Sequence, residues 1–166
     1  MSSVRFLLGF FCIAFVCRGH VSSRDLLVSI ASHELGVKEA TGHNDGPRVE
    51  EYLRYSGLKK GDPWCASYLS WVFKQAGFGR LCTGWSPALF PLSRRTTDPL
   101  PGDVYGIFFR DLNRIGHCGL LERRHGSWVF GLEGNTNVDG GREGNGVYRK
   151  VRHVRTIECF GNWVGR

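Results

Sequence analysis

Cys65 sits in the segment GDPWCASYLSWVFKQAG, residues 61–77, whose residue types could turn a thiol into a nucleophile. Asp62 is a good helix N-cap, Pro63 suits the first helical position, and Gly77 can end the helix in a left-handed conformation. This spacing predicts a helix with Cys65 at about its third residue, where unpaired amides and the helix dipole favour a thiolate. The Cys65 backbone N–H could then also hold the oxyanion of a tetrahedral intermediate. Without partners, the same cysteine would be a small buried residue on the stripe of Leu69, Val72, Phe73 and Ala76.

A thiol of ordinary pKa is mostly protonated at neutral pH and needs a neighbouring base. Among six histidines, His20 lies near the N-terminus, His33 and His43 fall in the helical part, and His125 and His153 stand beside basic residues. His117 differs, because Gly116-His117-Cys118-Gly119 opens an apolar strand with little side-chain bulk around the imidazole. A third group must fix the imidazole tautomer, and Gly131-Leu132-Glu133-Gly134-Asn135 offers two. Strand alternation expects Glu133 and Asn135 on one face and Leu132 on the other. It likewise puts Leu121 with His117 and Cys118 opposite, which gives Cys118 a packing role. Taken singly, these residues also fit a strand-edge histidine and a polar strand end.

Three predicted helices and a run of strands must position these groups. Ser23–Leu35 carries Leu26, Leu27, Ile30, Ala31 and Leu35 at helical spacing behind a capping serine. Pro47 can open a second helix that Gly57 stops, after turn chemistry in Thr41–Pro47. Residues 78–102 hold four of the six prolines and are expected to form a long loop. Strands are expected at Asp103–Phe109, His117–Arg123, Trp128–Leu132, Val147–Arg152 and Ile157–Trp163, with glycine-rich turns such as Asp139–Gly146 between them. Helices followed by consecutive strands predict an α+β fold, with N-terminal helices packed on a C-terminal antiparallel sheet. The length of 166 residues, 42% of them apolar and 22% charged, fits one domain and excludes a low-complexity or collagen-like chain.

Met1–Arg5 carries one positive charge and precedes twelve residues, Phe6–Cys17, that are apolar apart from Gly9. The run is too short to span a bilayer and has the form of a secretory signal peptide, expected over residues 1–22. Removing it takes away Arg5 and Arg18 and lowers the formal charge from +7 to +5, together with Cys12 and Cys17. An excess of positive charge fits an anionic partner, with cell wall, nucleic acid and membrane surface all open at this level. If Cys65 is catalytic it must stay a free thiol, so Cys82, Cys118 and Cys159 can form at most one bridge. No essential bridge is expected.

The motifs PWCASYLSWVFKQAG, PGDVYGIFF, GHCGLLE and GLEGNTN, in that order, resemble the CHAP family (cysteine, histidine-dependent amidohydrolase/peptidase) within the papain-like cell-wall hydrolases. The resemblance covers about residues 25–163. It implies a papain-like fold for residues 23–166 and assigns Cys65 as nucleophile, His117 as general base and acid, Glu133 as the orienting group and Asn135 as a fourth polar member. It also implies hydrolysis of amide bonds in peptidoglycan by an amidase or a stem-peptide endopeptidase, in a secreted or periplasmic, wall-associated protein.

The chain departs from members with an aspartate-rich calcium loop, since residues 41–64 hold only Asp45 and Asp62. No metal or other cofactor is expected. The expected state is a monomer with no nucleic acid partner and no stable membrane insertion after signal cleavage. The loop with Trp85, Ser86, Pro87, Phe90, Arg94 and Arg95 is a candidate substrate wall. Trp64, Trp85 and Ser86 are the expected substrate-binding residues, and the loop composition fits a loop packed by its own aromatics equally well. An exported wall-binding module without chemistry is the alternative from another class. Nucleic-acid binding rests only on dispersed bases such as Arg94-Arg95, Arg123-Arg124 and Lys150–Arg155.

Overall fold

The computed structural model describes residues 22–138 and 144–165. The expected signal segment, apart from Ser22, and most of the expected turn Asp139–Gly146 lie outside the described residues. Three α-helices come first: α1 (Ser23–His33), α2 (Pro47–Tyr55) and α3 (Cys65–Gln75). Ser22 caps α1 by accepting the Asp25 N–H at 3.1 Å, and Pro47 opens α2. Gly77, at φ 87°, ends α3 with paired bonds from its own N–H to the Lys74 carbonyl and from the Phe78 N–H to the Phe73 carbonyl. This left-handed stop was legible in the sequence.

The six strands are β1 (Arg95–Thr96), β2 (Val104–Phe109), β3 (Arg114–His125), β4 (Trp128–Thr136), β5 (Gly146–His153) and β6 (Cys159–Gly161). They form one antiparallel sheet in the order β1-β6-β2-β3-β4-β5. The chain is therefore α+β, with its helices ahead of its sheet. The segment 78–102 is more ordered than expected: it contains 3-10 turns at Ser86–Leu89 and Leu92–Arg94 as well as β1.

Helix α3 is buried from Cys65 through Phe73, a helix enclosed on all sides rather than one with a single buried stripe. Its two serines inside that run are satisfied, Ser67 by Ser56 at 2.7 Å and Ser70 by the Thr83 carbonyl at 2.8 Å. The main core joins Leu27 and Ala31 of α1, Tyr52 and Leu53 of α2 and Leu69 and Val72 of α3 to Val104, Ile115, Leu120 and Leu132 of the sheet. A second, smaller cluster of Tyr105, Leu121, Val129 and Phe160 covers the other sheet face. Among the described residues no helix is long and apolar enough to cross a membrane.

The expected cap of α3 is corrected. Trp64 occupies the N-cap with no side-chain bond, and Cys65 is the first helical residue rather than the third. Asp62 is taken up by a preceding turn, where it accepts the Lys59 N–H at 3.0 Å. The shift keeps Cys65 in the first turn, whose N–H groups have no intrahelical acceptor.

Candidate active site

Packing at both ends fixes Cys65. The indole of Trp64 stacks on Tyr52 with ring centroids 5.7 Å apart and donates to Glu39 Oε1 at 2.9 Å. Gly134 of β4 leaves room for the helix: a Cβ there would come within 3.0 Å of Trp64 and Tyr68. Trp64 is consequently 0% exposed and cannot act as a substrate wall, contrary to the sequence expectation. Its bulk holds the nucleophile's helix against the sheet.

A β-bulge sets the direction of His117. Ile107 pairs with His117 and Phe108 with Ile115, so β3 carries one extra residue, Gly116. Without it, Ile115 and His117 would share a face. With it, Ile115, Cys118 and Leu120 all enter the helix-side core while His117 sits over Glu133. A second bulge follows in β4 between Glu133 and Thr136, where Asn135 takes a left-handed backbone at φ 53°. The simple alternation expected for Glu133 and Asn135 is broken there. Glu133 is buried beneath the imidazole, whereas Asn135 is half-buried and lines the cavity above it.

Glu133 accepts four hydrogen bonds. His117 Nε2 lies 2.8 Å from Oε2, and the Tyr105 hydroxyl donates to Oε1 at 2.6 Å. Arg152 donates through Nε at 2.8 Å and Nη2 at 2.7 Å. This fills the acceptor capacity of the carboxylate. The Tyr105 ring reaches across the sheet because Gly119 and Gly131 have no side chains. A Cβ at either glycine would come closer than 3.0 Å to the ring or its hydroxyl.

With Nε2 engaged by Glu133, the other ring nitrogen of His117 is the one left to serve Cys65, which lines the same cavity and shifts the pKa of the ring. Burial opposes a charge on His117, but the Glu133 carboxylate, the adjoining Cys65 and the hydrogen bond to Glu133 raise its pKa to about 10. The neighbouring Cys118 thiol holds Cys65 well below the ordinary thiol range, with further help from His117 and Ser86, against the burial that pushes it up. Burial and the Cys65 charge push Cys118 well above that range. Burial acts against the Glu133 charge too, yet His117 and Arg152 keep its pKa low. Cys65, His117, Glu133 and Arg152 thus alternate in sign and sum to zero, which limits the cost of burying them.

Cys65, 5% exposed, and His117, 8% exposed, share a cavity of about 550 Å³ with Asn44, Asp62, Trp85, Ser86, Arg114 and Asn135. Ser86 Oγ lies 3.4 Å from Cys65 Sγ and 4.0 Å from Cys118 Sγ. Its 3-10 turn is anchored by buried Leu89 and Phe90. No protein-family model matches this chain, and a search of curated proteins finds no match. The functional reading therefore rests on the geometry and on the motif resemblance.

The structure brings Cys65, His117, Glu133, Asn135, Trp85 and Ser86 to one place and leaves out Trp64. In the loop expected to form a substrate wall, Phe90 is core, Arg94 stacks on Trp163 at 4.9 Å, and Arg95 donates to the Phe90 carbonyl. Cys118 does lie on the opposite strand face from His117, but that face is the one toward α3, so it borders Cys65 instead of serving only as packing. Sequence reasoning missed Tyr105, Arg152 and Arg114 as well. Asp45 is committed to a turn: it accepts the Thr41 N–H at 2.9 Å and the Thr41 hydroxyl at 2.8 Å, bonds that lower its pKa to about 2. All four described cysteines are free thiols.

Proposed function

We propose that this chain is an exported cysteine hydrolase of CHAP type that cleaves amide bonds in bacterial peptidoglycan, as an N-acetylmuramoyl-L-alanine amidase or a stem-peptide endopeptidase. One observation carries the reading. A thiol at the first residue of a buried helix shares a cavity wall with an imidazole whose Nε2 is held by a fully buried carboxylate. The order of the four motifs and the positive charge support the choice of wall peptide as substrate.

The Cys65 thiolate attacks the amide carbonyl, forming a C–S bond and moving an electron pair onto the carbonyl oxygen. The Cys65 backbone N–H and the Ser86 hydroxyl are the two oxyanion donors in this mechanism. Ser86 contacts the sulfur in the resting site, and its proton turns to the oxyanion as the sulfur loses its charge. His117 gives its proton to the leaving amine as the C–N bond breaks. It then takes a proton from water, which attacks the thioester and returns the Cys65 thiolate. Glu133 keeps its proton-free form throughout and fixes the ring, braced by Arg152 and Tyr105.

Purified protein incubated with peptidoglycan should release new amine termini, and the Cys65→Ala protein should release none. Equal release by both, or release by neither, overturns the reading. Masses of the released fragments separate amidase from endopeptidase action.

A further inference from the structure

Arg114 stands apart from the comparably half-buried Arg24 and Arg152, which answer to buried carboxylates at Asp103 and Glu133. Arg114 lines the catalytic cavity and has no carboxylate partner among the described residues. Its guanidinium lies 4.1 Å from the centroid of the Trp85 ring, and one Nη1 bond, 3.0 Å long, goes to the Ile115 carbonyl. The stack and the bond fix the plane of a group that has five N–H donors and spends one of them. Such a fork matches a carboxylate in two parallel hydrogen bonds.

Arg114 and the Cys65 sulfur line one cavity. Trp85 carries the guanidinium, and the next residue, Ser86, touches the Cys65 sulfur at 3.4 Å. Arg114 therefore addresses another group of a substrate whose scissile carbonyl lies at the Cys65 sulfur in the same cavity. Trp85 is 53% exposed and leaves the stacked cation open to a ligand. Among the described residues, the other charged side chain of the cavity wall, apart from the Cys65–His117 pair, is Asp62, whose carboxylate is held in the Lys59 turn.

We propose that Arg114, held flat on Trp85, is a carboxylate-binding subsite that selects amide substrates with a free acid group beside the scissile bond. This deepens the hydrolase reading and rests on it for its location next to the reacting sulfur. The substrate class is an acidic peptide, and a wall peptide bearing an unamidated glutamate is one member of it.

The test uses two muropeptides that differ in one group, with the glutamate α-carboxyl either free or amidated. The wild-type protein should favour the acid by about tenfold in kcat/KM, the scale of a half-exposed charge-assisted contact. The ratio should fall to about one in Arg114→Gln and to an intermediate value in Arg114→Lys, which keeps the charge without the planar fork. Near-UV circular dichroism and Trp fluorescence establish that both variants are folded. A wild-type ratio of one, or a ratio that persists in folded Arg114→Gln, overturns the subsite.

Binding to Cys65→Ala is measured in parallel by titration calorimetry. If that protein prefers the acid while the wild type cleaves neither muropeptide nor whole peptidoglycan, the subsite stands and the hydrolase reading falls. If cleavage occurs without discrimination, the subsite falls alone. Absence of both cleavage and discriminating binding overturns both.

Discussion

The same three side chains meet twice in this molecule, with different consequences. In the helical layer, Glu34 accepts from both Arg48 Nε and Nη2 at 2.8 Å and from the Tyr52 hydroxyl. In the sheet, Glu133 accepts from Arg152 and from Tyr105 in the same pattern. Both carboxylates are buried. The difference is the last acceptor position on Glu133, which receives His117 and through it Cys65. A buried acid braced by arginine and tyrosine is thus a structural rivet by default. At Glu133 one further lone pair is turned to a titrating ring at a cavity wall, and the proposed mechanism uses that pairing. The Glu34 cluster ties α1 to α2 and has no such extension among the described residues.

Replacing the ring should produce the largest difference between the two clusters. His117→Ala is expected to lower kcat/KM on peptidoglycan by about 10³, the usual scale for losing a general base, while Glu34→Gln should leave it within about twofold. Comparable losses in both variants would erase the distinction. Second in size is Glu133→Gln, with an expected loss of about a hundredfold and a changed pH profile. The proposed mechanism requires a Cys65 thiolate and a His117 imidazolium, so activity should rise with pH as the depressed Cys65 ionises and fall as His117 loses its proton near pH 10. The Glu133 charge raises His117, so removing it should move the alkaline limb to lower pH. A limb unmoved in a rate–pH series on folded Glu133→Gln would contradict that role.

Smaller effects should appear in stability. Glu34→Gln is expected to cost about 2 kcal/mol in urea unfolding, because it weakens charge-assisted bonds to Arg48 and Tyr52. Smallest of all, Tyr52→Phe and Tyr105→Phe should each cost about 1 kcal/mol. Only Tyr105→Phe should also lower activity, by a few-fold. Equal activity in the two phenylalanine variants would show that Tyr105 supports the fold alone.

The sequence made Cys65, His117 and Glu133 legible because their signals are local: a proline and glycine framing a helix, and small residues around a strand histidine. The order of helices and strands was legible for the same reason. The bulges at Gly116 and near Asn135 were not, since counting alternation assumes that no residue is inserted. Trp64 looked available because it neighbours the nucleophile, but Tyr52 and Glu39, which bury it, come from other segments. Arg152 and Tyr105 meet Glu133 from positions 19 and 28 residues away, and nothing short-range marks such pairings. Placing Cys118 on the face opposite His117 was correct. That face's proximity to Cys65 depended on how α3 lies against the sheet.

The Tyr105 ring occupies space that two other strands leave vacant at Gly119 and Gly131. An alanine at either glycine would collide with the ring, and a smaller residue at 105 would leave a hole above both and strip a donor from the acid. The three positions are therefore constrained together, since a side chain at either glycine fits only alongside a smaller residue at 105. A lineage could redecorate the cavity rim one residue at a time, but it could exchange the platform beneath the histidine only by compensated steps.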